Sequence, residues 1–166
     1  MFRTMRRKAQ ELAAAENEAI LKRHGEGVLA VCGDGGYPYA VPVNYVYDGG
    51  RIIIHGAKEG HKIESIRKND KVSFCVIDED KVVPEEYSTA YRSVIVFGRA
   101  SVLEGQIPQM PPMETLLDTL ASHFVPFPKE ARMDYIRQGM PQTALIVITP
   151  EHITGKAGRL LMGKKG

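Results

Sequence analysis

Gly49–Ile77 reads GGRIIIHGAKEGHKIESIRKNDKVSFCVI. Arg51 to His55 is β-branched and apolar, the composition of a buried strand. Gly56 to Gly60 interrupts it. Glu59 to Asn69 then has helical spacing, with Ile63 and Ile66 three apart on one face. Asn69-Asp70 marks a turn, and Val72, Phe74 and Val76 alternate as the next strand. The informative point is the junction, where His61 and Lys62 fall in the first helical turn. Free N–H groups and the positive dipole end lie there, so two basic side chains make either an anion site or a solvated basic helix start.

Upstream, Val28 to Cys32 reads as a strand and is followed by Gly33-Asp34-Gly35-Gly36. A glycine cluster after a strand suggests a dinucleotide loop. The next segment, however, is YPYAVPVNYVY, β-rich with Pro38 and Pro42, so a hairpin turn is the better reading. Tyr39 to Tyr47 forms a second strand, with Tyr39, Val41, Val43, Tyr45 and Tyr47 on one face. Pro42 cannot donate to a ladder, which places this strand at an edge or a bulge. Asp48-Gly49-Gly50 is another hairpin turn. Thr4 to His24 is rich in Ala, Glu, Lys and Arg and reads as one helix or two short ones, with Leu12, Ala15 and Ala19 as a weak stripe.

Downstream, Asp78 to Ala90 reads as a polar loop and Tyr91 to Glu104 as a long strand. Ser93, Ile95, Phe97 and Arg99 alternate there with Val94, Val96 and Gly98, so both faces are expected to be partly buried. Gly98 signals a bend or a close backbone approach. Gln106 to Pro112 is a proline-rich connection. Met113 to Phe124 and Lys129 to Gln138 are helices. Thr143 to Thr149 is the last strong strand, and Pro150 to Gly158 continues it across a kink. Six strand segments, mostly joined by hairpins and flanked by helices, argue for a barrel.

The chain has 166 residues, of which 43% are hydrophobic and 25% charged. That fits one domain spanning 1–166, with 1–24 as an N-terminal helical segment and 159–166 as a flexible tail. A net charge of +2 gives no general case for nucleic acid or an anionic membrane. Cys32 and Cys75 are the only cysteines. They form no CxxC pair and lie in expected strands, so buried thiols are the simplest reading. Neither a signal peptide nor a membrane-length apolar run is visible, which makes a cytoplasmic protein the expectation. The five histidines show no metal-ligand spacing, so no metal site is expected. Gly163-Lys164-Lys165 is a near match to a phosphate loop, but it lacks the Ser/Thr and the following helix.

IIIHGAKEGHKIESIRKNDKVSFCV resembles the FMN-binding split-barrel superfamily of pyridoxamine 5'-phosphate oxidase, nearest to its nitroimidazole-resistance branch. GVLAVCGDGGYPYAVPVNYVYDGGRIIIHG, YRSVIVFGRASVLEG and HITGKA extend the likeness over roughly Gly25 to Gly158. The resemblance implies a mainly β fold: a six-stranded, antiparallel, Greek-key split β-barrel with peripheral helices that binds FMN. It implies a homodimer with flavin sites between the subunits. His61 and Lys62 match the positions that hold the cofactor phosphate. His55 and Gly56 match the strand-end pair beside the ribityl chain and phosphate, and His55 is the one catalytic candidate. Val43, Asn44 and Tyr45 match the strand that passes the flavin ring. Ser93 matches a contact from the dimer mate, and Lys156 is a candidate for the phosphate or ring end.

The departures are informative. YAVPVNYVY carries none of the basic residues that the vitamin B6 oxidases have on this strand, and their C-terminal Trp-Arg pattern is missing. The leading expectation is therefore a flavin-dependent oxidoreductase that reduces a small aromatic acceptor such as a nitroimidazole. The alternatives are a non-enzymatic flavin or haem carrier or sensor, and a structural dimer with a degenerate site. Haem or deazaflavin are the alternative ligands.

Overall fold

The computed structural model describes residues 1–105 and 110–162. Part of the Gln106–Pro112 connection and the Gly163-Lys164-Lys165 motif lie outside the described residues, as does the end of the 159–166 tail. Helix α1 (Ala14–Arg23) leads into β1 (Glu26–Cys32), β2 (Pro38–Asn44), β3 (Val46–Asp48) and β4 (Arg51–Ala57). Then come α2 (His61–Lys68), β5 (Lys71–Val83), β6 (Ser88–Leu103), α3 (Met113–Phe124), α4 (Lys129–Gly139) and β7 (Thr143–Ala157).

All seven strands form one antiparallel sheet in the order β2-β1-β5-β6-β7-β4-β3. Its two edge strands, β2 and β3, are consecutive in the chain, with Tyr45 alone between them. The sheet thus curls until its edges meet at Tyr45, and the chain rather than a hydrogen-bonded ladder joins them. This is a split barrel. The seventh strand is a correction to the six expected: the second strand breaks at Tyr45, whose N–H donates to Gly25 O at 2.8 Å. The Tyr45 ring turns into the barrel, fully buried, meets Phe74 edge-on and donates its hydroxyl to Leu21 O at 2.8 Å. Pro42 sits on an edge strand, where its missing donor costs nothing.

The barrel interior is filled from alternate positions: Leu29, Ile52, Ile54, Phe74, Val94, Val96, Ile146 and Ile148, closed at one side by Ile20 and Leu21 of α1. The opposite face of β4 and β7 presents Ile53, Leu145 and Val147 to Leu116, Leu117 and Leu120 of α3 and Ile136 of α4. Among the described residues no helix covers Ile77, Ile95 and Phe97, which stay 59%, 40% and 39% exposed on the outer face of β5 and β6, with the Phe2 ring stacked on Phe97. The expectation that both faces of β6 are partly buried holds unevenly: one face is in the core, while the other has Ser93 half-buried and Ile95 and Phe97 more open.

Three other expectations need correction. Asp78 to Ala90 is not a loop, because β5 and β6 pair out to Val83 and Ser88. From Asp80 to Ser88 this arm is exposed on both faces apart from the half-buried Val83, so the apolar alternation that marks a half-buried strand is missing. Of the one helix or two short ones expected over Thr4 to His24, α1 begins at Ala14 and a single 3-10 turn, Lys8–Gln10, precedes it. Before α1, Leu12 N–H donates to Gly155 O at 3.0 Å and the Glu11 backbone forms an antiparallel β-bridge with that of Lys156, which holds the segment against β7. Cys32 is exposed, its Sγ accepting from Asn69 Nδ2 at 3.3 Å, while Cys75 is half-buried. The expected bend at Gly98 is present, since the β6–β7 register shifts between Phe97 and Gly98.

Candidate functional site

Helix α2 stands where β2 and β4 approach each other. Gly60 precedes it with φ 117°, a conformation that side chains disfavour, and no side chain caps the helix. Consecutive helical residues diverge by about 100°, and here the divergence spans the split. His61 turns to the β2 side. Its ring stacks on Tyr39 with centroids 4.1 Å apart. Asp34 N–H donates to His61 Nε2 at 3.4 Å, and an Asp34 carboxylate oxygen lies 3.6 Å away. Asp34 in turn pairs with Lys68 at 3.0 Å, and that hydrogen bond, with the charges of Lys68 and His61, lowers the Asp34 pKa.

Lys62 turns to β4. A Cβ placed on Gly56 would lie 3.3 Å from its Cε and 3.6 Å from its Nζ. The ammonium therefore rests over the glycine backbone, half-buried, with no ion pair or hydrogen bond among the described residues. The other cations of α2 are committed. Lys68 holds Asp34, and Arg67 pairs with Glu104 and reaches Lys58 O at 3.2 Å. An uncapped helix N-terminus with one uncommitted cation beside a bare backbone fits an anion.

His55 is on the other side of the same strand. Gly56 pairs with Ala144 on the barrel side, while His55 pairs with Leu145 on the side facing α3 and α4. His55 and His61 thus do not converge. His55 meets Asn44 instead: both line a cavity under α3 and α4, together with Thr143. Val43 faces the barrel, packed against its core. Tyr45 is wholly interior, so any ligand contact along this strand falls to its backbone or to Asn44.

Ser93 and Lys156 are direct cross-strand partners on β6 and β7, and Lys156 Nζ sits 5.3 Å from the Tyr91 ring centroid. They are remote from the rest. Leu103, the β6 partner of Leu145 and so the register neighbour of His55, is ten residues from Ser93 along the strand. That is roughly 33 Å of strand contour. Among the described residues no three His, Cys, Asp or Glu side chains gather as a metal site, and no helix is long and apolar enough to cross a membrane.

Sequence reasoning missed Tyr39 and Asp34, which orient His61, and Thr143 with the aromatic wall of α3 and α4. Tyr39 was legible only as a strand residue, because its stacking partner is 22 positions away in the chain.

This split barrel, with a basic helix start at its seam, defines a class of protein. The chain matches the pyridoxamine 5'-phosphate oxidase family over residues 13–157 and belongs to it. Over 87 residues it is 37% identical to a 5a,11a-dehydrotetracycline/5a,11a-dehydrooxytetracycline reductase of Streptomyces rimosus, a match covering 50% of this chain and 58% of that protein. A Bacteroides thetaiotaomicron protein assigned by its name alone to 5-nitroimidazole antibiotic resistance superposes with a TM-score of 0.68 at 21% identity, over 89% of this chain and 86% of that one. An FAD and haem binding protein of Mycobacterium smegmatis superposes with a TM-score of 0.71 at 19% identity, over 92% and 74%.

Proposed function

We propose that this chain is a flavin-dependent oxidoreductase of the nitroimidazole-resistance type. It holds the phosphate of FMN at the start of α2 and delivers reducing equivalents to a small aromatic acceptor. The observation that carries this reading is Lys62: a cation with no partner among the described residues, over Gly56, at a helix N-terminus without a side-chain cap. Lys62, His61 and the free N–H groups of α2 hold the phosphate, and Asn44 and His55, on the other face of β4 from Lys62, meet the acceptor that the ring reduces. Bound flavin supplies the electron and hydride chemistry. The chain's own residues bind the cofactor phosphate, exclude water from the acceptor through the apolar wall of α3 and α4, and offer His55 as a proton donor or acceptor at the open side of the cavity. Strand β2 carries no Arg or Lys, which speaks against a vitamin B6 oxidase.

The working unit in this reading is a homodimer. Ile77 and Ile95 lie open beside Ser93, next to the stacked rings of Phe2, Phe97 and His152, and this apolar stripe fits a second copy. Ser93 and Lys156 then reach the flavin of the partner subunit, which their distance from His55 prevents within one chain.

An absorption spectrum of the purified protein after incubation with FMN and desalting tests the reading. Retained flavin bands at near one per chain, with activity toward a nitroaromatic acceptor under reducing conditions, support it. A Soret band, or no retained flavin, overturns it.

A further inference from the structure

Between α3, α4 and the outer face of β4 and β7 lies a cavity of about 690 Å³. Its walls are apolar, led by Leu117, Leu120, Phe124 and Ile136. Apart from His55, its one charged lining residue is Arg132, and that charge is spent: Arg132 Nε donates to Asp118 at 2.9 Å and Nη1 to Phe127 O at 2.6 Å. An ion lying against the α3 and α4 wall would lose water and find no unpaired charge on it. The polar groups lie together at its open side, with Asn44 and His55 exposed and Thr143 half-buried. The Asn44 amide and the His55 ring have no hydrogen-bond partner among the described residues, while the Thr143 hydroxyl donates to Gly139 O at 2.9 Å and keeps its lone pairs free. At the mouth, Phe127 and Tyr135 stand 64% and 79% exposed.

We propose that this cavity is the acceptor site and that it selects neutral, flat molecules of two or more fused rings with one hydrogen-bonding edge. The edge meets Asn44 and His55, the ring faces lie against the apolar wall, and Phe127 and Tyr135 close over the outer side. The volume exceeds what a single small ring fills. The cavity is on the helix side of β4 and the Lys62 ammonium on the barrel side, so the phosphate anchor and the acceptor pocket are separate. The acceptor role rests on the flavin reading above, whereas the binding chemistry does not.

Isothermal titration without reductant provides the test, with menadione as the neutral two-ring probe and 1,4-naphthoquinone-2-sulfonate as its anionic counterpart. Menadione should bind, and the sulfonate at least about tenfold more weakly. Ala121→Trp places an indole in the cavity and should weaken menadione by about tenfold or more, with FMN affinity unchanged. Ala131→Trp, at an exposed position on the opposite wall, repeats the test should the first variant melt early. Absence of menadione binding to the wild type, equal binding of the two quinones, or unaltered binding in both tryptophan variants overturns the proposal. Loss of FMN in parallel with menadione assigns the cavity to the flavin and overturns it too. Failure of FMN to bind the wild type, with menadione behaving as stated, counts against the flavin reading alone.

Discussion

The ring of His61 lies flat on that of Tyr39, with planes 19° from parallel and centroids 4.1 Å apart. The stack crosses the split of the barrel, from the start of α2 to the edge strand β2. It fixes the direction in which His61 presents its second ring nitrogen. An aromatic contact of this kind contributes about 0.5–1.5 kcal/mol beyond area burial. Tyr39→Ala should therefore weaken FMN by about two- to tenfold, read by flavin fluorescence titration. Unchanged affinity would mean that the held orientation of His61 is not used.

Asp78 predicts how acid affects stability. Its side chain is 4% exposed and accepts hydrogen bonds from His24 at 2.7 Å and from Arg23 and Arg92. Burial alone would raise its pKa, but these three donors outweigh burial and hold it at about 2, below the ordinary 3.8. A depressed carboxyl pKa stabilises the fold above the unfolded value, and that contribution is lost as pH falls through the folded one. The window here runs from about pH 4 to about pH 2, and the contribution is about 2 kcal/mol. Urea unfolding should show Asp78→Asn less stable than wild type by at least that amount near neutral pH, with the gap closing below about pH 2. A gap that persists in acid contradicts this.

Gly98 marks the bulge between β6 and β7, where a Cβ would sit 2.4 Å from Thr149 O. The obstacle is backbone and cannot swing aside. Gly98→Ala should lower stability by roughly 1–3 kcal/mol, measured by denaturant unfolding. A neutral result would show that the bulge relaxes.

These residues also show what the sequence could and could not reveal. The strand–glycine–helix junction at His55 to Lys62 was legible because period, breakers and basic residues all fall within a few positions. The close approach at Gly98 and the edge position of Pro42 followed from what those two residue types permit. The break at Tyr45 was hidden, since Tyr39 to Tyr47 keeps β composition throughout and only closure of the sheet forces the chain to change edges. The β5–β6 arm was hidden because strands wet on both faces carry no apolar alternation. The division of the site was partly readable. A strict period of two already puts His55 and Gly56 on opposite faces, but which face meets α3 and α4 depends on tertiary packing.

The apolar stripe on β5 and β6 predicts that assembly and flavin binding fail together. Ile95→Glu puts a charge at its centre, on a residue 40% exposed in the single chain and therefore tolerated by the fold. Light scattering should show a dimer for the wild type and a monomer for the variant. The variant should also lose most of its FMN while its circular dichroism stays unchanged. A wild-type monomer that holds flavin contradicts the shared site.

The most direct measurement concerns Lys62. Losing one charged hydrogen-bond partner costs roughly 1.5–3 kcal/mol, or about one to two decades of affinity. FMN and riboflavin, titrated at moderate salt against wild type and Lys62→Ala, separate the phosphate from the ring. The account predicts that FMN weakens by about ten- to a hundredfold in the variant, while riboflavin binds both proteins alike and more weakly than FMN binds wild type. FMN held as tightly by Lys62→Ala as by wild type, or riboflavin bound by wild type as tightly as FMN, would contradict it.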